Sequence, residues 1–352
     1  MNPHHSATLN DVANAAGISI ATVSHYLNKT KTVSPATSAR IQAAIDQLGY
    51  QRDAMAAWFK TSRAPLVIVA VATADTSFFS DVANAVEDVC EGHGLTVIRV
   101  QIKTLEKMRQ GNAMSTFLRR AAGVIVLGHS EQWIANPESL AATVPTVFLN
   151  WDSLSGFDQQ GLVEHLADGS DRGMKYLYEH GHRDIGLVTG PLDLPRGREL
   201  MAGVQRFAAQ QRIKLNPHWI IETDYTFKDA RDKASQVLQA ATRPTAMLAF
   251  GTQFAFGVLQ AASQLDLRVP HDLSVISYID ASQAEFSSPP LTTVSPSIPQ
   301  LANHVVERIV RLGRNDATIQ STDLEIILHE RGSVQQLQQL QRRAGTAAKA
   351  RR

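Results

Sequence analysis

The chain contains one cysteine, Cys90, in 352 residues. That excludes a disulfide framework and any zinc site built on several thiolates, and it suits a reducing compartment. Long hydrophobic runs are also missing. The longest apolar stretches, such as Leu66–Ala72, fall far short of the ~20 residues a membrane span needs. The N-terminus has no basic segment followed by an apolar one, so a cytoplasmic protein with no membrane partner is expected. No G-x-S-x-G elbow, phosphate-cradling P-loop, H-E-x-x-H or dinucleotide-type G-x-G-x-x-G follows a candidate strand. The expectation is therefore no enzymatic activity, no cofactor and no metal. Among the histidines, His180 and His182 flank a glycine at a helix–strand junction and read as turn packing, while His4 and His5 have no partner cluster.

What is present is a globular composition, 44% hydrophobic and 19% charged, which rules out a disordered chain. The net charge of +1 hides an uneven distribution. Residues 1–63 carry six basic groups against three acids, and residues 334–352 carry five basic groups and no acid, so the body between them is acidic. Basic ends on an acidic body suit a polyanion held at one end.

Residues 8–50 follow a helical period, which Arg63, Ala64 and Pro65 break. From Leu66 onward, short apolar runs alternate with amphipathic helices. The runs are 66–72, 123–127, 146–149, 184–188, 245–250 and 273–278, each bounded by Gly, Pro, Asp or Asn. Such runs are the pattern of buried parallel strands, and their alternation with helices predicts a doubly wound α/β fold. About 270 residues is long for one such sheet, so two α/β subdomains are expected, with a ligand cleft between them at the carboxyl ends of the strands.

The first segment is the most specific. Leu9, Val12, Ala13 and Ala16 form one apolar face, Gly17 ends that helix, and Ser19 is placed to cap the next one, from about Ile20 to Leu27. A third helix is expected from Pro35 to Leu48, with Ile41, Ala44, Ile45 and Leu48 facing the core. Two short helices joined at a glycine turn form the helix-turn-helix pattern, and the second enters the major groove with its N-terminal residues leading. Ile20 and Ala21 suit thymine methyls, and His25 a base edge. Ser19, Thr22, Ser24, Asn28, Ser34 and Tyr50 suit phosphate oxygens.

T-L-x-D-V-A-x-x-A-G-I-S-x-x-T-V-S, with Leu27-Asn28, Val33-Ser34 and Leu48-Gly49-Tyr50 beyond it, resembles the lactose/galactose repressor family. Gly181-His182-Arg183-Asp184-Ile185, Val269 to Ile276 and Pro290 to Val294 extend the resemblance over nearly the whole chain. The resemblance implies a helix-turn-helix domain (1–50), a hinge (51–64) and an effector-binding and dimerisation domain of periplasmic-binding-protein type (65–333); the Gln-rich, Arg-ended composition of 334–352 predicts a basic, disordered tail. It implies a repressor acting as a homodimer on a pseudo-palindromic double-stranded operator under control of a small-molecule effector. In the hinge it implies a minor-groove wedge at Phe59, with Ala56 on the same segment. His25 stands where the resemblance implies an arginine, giving a contact whose charge depends on pH.

In the cleft the sequence departs from the family. Polar groups implied by the resemblance are replaced by Asn150, Leu200, Gly251-Thr252 and Ile279, with Asp280 beside the last. Each buried hydroxyl left without a partner costs about 1–3 kcal/mol, so a bare sugar in the usual pose is not expected. Phe78, Phe79, Trp151, Arg196, Tyr225 and Phe254 are candidates to line a less polar or anionic site instead; loss of effector binding is the alternative. Val334, Leu337 and Leu340 make fewer than two heptads, which favours a dimer over a tetramer. A solute receptor would share the sensor fold but leave residues 1–63 unexplained.

Overall fold

The computed structural model describes residues 7–28, 31–50, 63–72, 77–128, 137–150, 160–316 and 324–337, with only the backbone at 28, 112–113, 137, 150, 160–167 and 195. Two compact units divide at Ala64/Pro65.

The first unit holds three helices, α1 (Leu9–Ala16), α2 (Ile20–Asn28) and α3 (Pro35–Leu48). Thr8 caps α1 in a reciprocal box with Asp11, each side chain bonding the other's backbone N–H. Val12, Ala13, Ala16, Val23, Ile41 and Ala44 form its core. Leu48, expected to face that core, is 36% exposed. At 14 residues α3 outruns its partners of 8 and 9, which leaves its last turn uncovered.

The second unit contains two α/β lobes. The first lobe has a four-stranded sheet in the order β2-β1-β3-β4: β1 Ala64–Val71, β2 Thr96–Gln101, β3 Ala121–Gly128 and β4 Thr146–Asn150. Around it lie α4 (Ser77–Gly92), α5 (Ile102–Gln110), α6 (Asn112–Arg120) and α7 (Pro137–Ala141). Period-2 alternation sorts β1 between two cores. Val67 and Val69 join Val82 and Val86 of α4, while Ile68 and Ala70 join Leu105, Leu118 and Leu140. Burial on both faces explains the unbroken apolar run.

The second lobe begins with α8 (Gln160–Glu179) and holds a six-stranded sheet in the order β10-β9-β8-β7-β5-β6. Its strands are β5 Ile185–Thr189, β6 Ile220–Glu222, β7 Ala246–Ala249, β8 Ser274–Tyr278, β9 Thr292–Pro296 and β10 Ile326–His329. All its neighbours pair in parallel except β10, which runs antiparallel to β9. Helices α9 (Pro195–Gln211), α10 (Phe227–Gln239) and α11 (Thr252–Gln264) complete this lobe. Helix α12 (Ile298–Gly313) returns the chain to the first lobe, packing on α4 and β3. The doubly wound reading therefore holds, with β2, β6, β9 and β10 added to the expected strands.

The tail begins later than its Gln-rich composition suggests. Val334 packs against the core. Gln335 N–H donates to Ser274 Oγ at 3.2 Å, and Leu337 N–H donates to the His180 carbonyl at 2.9 Å. Backbone pairing holds these residues, and composition does not report it; residues 338–352 lie outside the described part.

Candidate DNA-reading helix and effector cleft

The turn of the first unit depends on Gly17, whose φ of +62° lies in the left-handed region. Arg40 of α3 donates from Nη2 to the Ala16 carbonyl at 2.6 Å and so covers the C-terminus of α1. Ser19 Oγ then accepts from Thr22 N–H at 3.2 Å, starting α2, and lies 2.8 Å from the Thr22 hydroxyl. Ser34 and Thr37 repeat this geometry at the start of α3, at 3.3 and 2.8 Å. Tyr26 donates to Gln42 Oε1 at 3.1 Å and ties α2 to α3.

Among the expected DNA contacts, Ile20 is 48% exposed, Ser19, Ala21 and Ser34 are exposed, and Thr22, Ser24, His25 and Tyr50 are half-buried. Ser19, Ile20 and Ala21 lead α2, whose first turn carries no acid, so its positive end is open to a polyanion. Ser19, Thr22 and Ser34 also form the caps, so their hydroxyls position helices besides facing outward. Ala56 and Phe59 lie outside the described residues, as does the side chain of Asn28.

In the second unit, a cavity of about 280 Å³ opens at the strand ends of the second lobe and the start of α4. Six expected residues surround it: Phe78, Phe79, Arg196, Gly251, Thr252 and Ile279. Arg196, at the first turn of α9, is only 3% exposed and donates from Nη2 to the Phe250 carbonyl at 2.9 Å. Phe78 and Phe79 meet edge to face, with ring centroids 5.5 Å apart.

Ile279, just past β8, has a φ of +87°. That value is a strained one for a β-branched residue. Its carbonyl accepts from Thr252 Oγ1 at 2.9 Å and Ser277 Oγ at 3.2 Å, and its N–H donates to the Val294 carbonyl at 2.7 Å. Three hydrogen bonds thus hold an unfavourable backbone in the cavity wall. Across the cleft, Ser282 N–H of the second lobe donates to Asp81 Oδ2 of α4 at 2.9 Å.

Other expected positions lie off the cavity. Leu200 is 1% exposed in the core, on α9, which packs against α8. Tyr225, with φ of +65°, lays its ring over Gly190 and tilts against the fully buried Phe254, with centroids 6.0 Å apart. Asp280 turns away, into an ion pair with Arg331 at 2.8 Å and a bond from the Thr293 hydroxyl at 2.7 Å. A carboxylate beside an apolar cavity is better solvated by those donors. Asn150 ends β4 opposite Gly128, with its side chain outside the described part, and Trp151 lies wholly outside it. Sequence reasoning missed Ser77, Phe227, Gln253, Phe256, Ala281 and Gln283, which also line it among the described residues. Phe227 had one available signal, its place directly after the helix-capping Thr226 at a strand-to-helix loop.

Among the described residues, no group of three or more His, Cys, Asp or Glu side chains could hold a metal ion, and no helix is long and apolar enough to cross a membrane.

Residues 8–53 match the family described as bacterial regulatory proteins, lacI family, and residues 174–334 match the periplasmic binding protein-like domain. The chain is 31% identical over 331 residues to the ribose operon repressor of Escherichia coli (strain K12), spanning 93% of this chain and 99% of that one. It is 32% identical over 335 residues to the HTH-type transcriptional repressor PurR of Salmonella arizonae, spanning 93% and 97%. The solved lac repressor dimer bound to operator and the anti-inducer ONPF matches with a TM-score of 0.75 at 25% identity, over 94% of this chain and 100% of that chain. With helix-turn-helix and sensor fold matched along nearly their whole length, the chain belongs to the lacI family of bacterial regulatory proteins.

Proposed function

We propose that this chain is a cytoplasmic transcriptional repressor, without enzymatic activity, that binds a pseudo-palindromic operator as a homodimer. The observation that carries the reading is the leading end of α2. Ser19, Ile20 and Ala21 are exposed together on a capped, acid-free helix start, the geometry needed to read a major groove. Dimerisation follows from the small surface that one helix-turn-helix covers. Residues 51–64 act as the hinge, with Ala56 and Phe59 reaching the minor groove. The cleft takes a small-molecule effector other than a bare sugar, since among its described lining residues apolar side chains outnumber polar ones. Effector acts through its different affinity for two arrangements of the lobes, and lobe movement changes how the paired hinges meet DNA.

The test is selection from a randomised duplex pool, followed by mobility shift on the recovered sequence. The full chain is expected to enrich a two-fold symmetric site, and a variant lacking residues 1–62 is expected to enrich none. Equal recovery of all sequences by the full chain would remove the regulatory reading.

A further inference from the structure

We propose that Asp81 is a positioning residue of the sensor unit: its carboxylate, on α4 of the first lobe, latches the Ser282 N–H of the second lobe and holds the two walls of the cavity together. The proposal rests on the reading that effector acts by shifting two arrangements of the lobes, and it names a contact that sets their balance.

The contact belongs to both lobes. Asp81 Oδ2 accepts from Ser282 N–H at 2.9 Å, across 201 positions of chain. Ser282 opens a short 3₁₀ turn, Ser282–Ala284, and the first N–H groups of a helical turn have no partner within it. A carboxylate gives such an N–H one of its stronger bonds, because the acceptor is charged. Elsewhere in this lobe the cap is local, as where Thr226 accepts from Asp229 N–H at the start of α10. At Ser282 the acceptor comes from the opposite lobe, so the bond lasts only while the lobes keep this spacing.

Place is the second argument. Ser282 sits between Ala281 and Gln283, and both line the cavity. On α4, Asp81 follows Phe78 by three positions and Phe79 by two, and both rings line it from the first lobe. Residues three apart share a helix face. A molecule filling the cavity therefore touches the immediate neighbours of both latch groups. The second-lobe side is stiff. Three residues before Ser282, the backbone at Ile279 is held at φ +87° by bonds to Thr252, Ser277 and Val294. Asp81 is half-buried and Ser282 exposed, so opening the cleft gives both groups to water and orphans neither. Such a bond weights a balance of arrangements without locking it.

The experiment reads lobe spacing in the intact chain by dipolar spectroscopy. Spin labels go on Asp88→Cys of α4 and Lys228→Cys beside the cavity-lining Phe227, both exposed positions. The native Cys90 is fully buried, and burial, with Glu87 adding to it, pushes its thiol up to about 11, so it takes no label. An excess of chain without the two added cysteines keeps one labelled pair per assembly. Asp81→Ala is expected to raise the ratio of a longer distance to the shorter one about fivefold, the partly screened worth of one charge-assisted bond. Asp81→Asn keeps an oxygen acceptor and should restore most of the wild-type distribution, which a loss of folding would not do. Gln283→Trp is the control, a wedge in the cavity wall that should lengthen the distance whatever Asp81 does. Lengthening in Gln283→Trp but not in Asp81→Ala overturns the latch and leaves the two-arrangement reading standing. Lengthening in neither overturns both. Equal lengthening in Asp81→Ala and Asp81→Asn overturns the hydrogen bond as the cause.

Discussion

The Thr252 hydroxyl stands 2.9 Å from the Ile279 carbonyl and braces a β-branched residue at φ +87°. Both residues face the same cavity, so the bond joins the start of α11 to the end of β8 where the effector is proposed to lie.

Thr252→Val keeps the shape of the side chain and removes the donor. The sensor unit is expected to lose about 1–2 kcal/mol, read as a lower urea midpoint at an unchanged slope. Ser277 still reaches the same carbonyl, so the double variant Thr252→Val/Ser277→Ala should lose more than the two single losses combined. An additive result would mean that the two hydroxyls brace the Ile279 carbonyl independently, and no loss from either would leave the Val294 bond as the brace.

Gly17→Ala places a methyl group 2.8 Å from Arg40 Nη2 on a backbone at φ +62°. The left-handed conformation costs an L residue about 1–2 kcal/mol. Amide hydrogen exchange in α1 and α3 should accelerate roughly tenfold, while the β1 and β3 amides of the sensor unit keep their protection.

Ile20→Ala shortens an exposed side chain at the leading end of α2 without touching the core. Affinity for the selected operator is expected to fall by about 1 kcal/mol or more, with affinity for random DNA unchanged. The slope of log affinity against log salt should also stay constant, since no phosphate contact is removed.

His182 is fully buried between Thr245 Oγ1 at 2.9 Å, Ser274 Oγ at 3.0 Å and the Gln335 carbonyl at 3.2 Å. Burial pushes its imidazole down to about 4; the Gln335 carbonyl opposes this, and His180 and Arg183 add to it. The folded-state value lies below that of the unfolded chain, so unfolding takes up a proton. Stability contributed here is whole above about pH 6.5, drains as the pH falls toward 4, and levels off below. The loss is on the order of 3 kcal/mol. His182→Gln should flatten the pH dependence of urea unfolding across that window.

Legibility in the sequence followed how local the determinants are. The cap at Ser19 and the turn at Gly17 are encoded within a few residues, so the second and third helices were readable almost to their ends, whereas the caps at Thr8 and Ser34 emerged only in the structure. Buried parallel strands announced themselves by unbroken apolar runs. Strand β2 did not, because an edge strand alternates with solvent and carries Arg99, and β6 is only three residues long. In the cleft, Arg196 and the Phe78–Phe79 pair were found because they sit at element starts next to strand ends. Tyr225 and Asp280 satisfied the same rule but turned elsewhere, toward Gly190 and Arg331. Those partners lie 35 and 51 positions away in the chain, beyond the reach of any local pattern.

The segment that closes the larger sheet is synthesised long after the helical unit. Ser333 donates to the Val275 carbonyl at 2.6 Å and accepts from Thr292 N–H at 2.8 Å, linking β8 to β9. While a ribosome is still extending the chain, the helical unit with its own core can form, but this seam cannot close until residue 333 has left the exit tunnel. At ~5–20 residues per second, the DNA-reading helices thus have tens of seconds of folding opportunity ahead of the unit that pairs and governs them, and a chain cut short before residue 333 would carry the reader without its control.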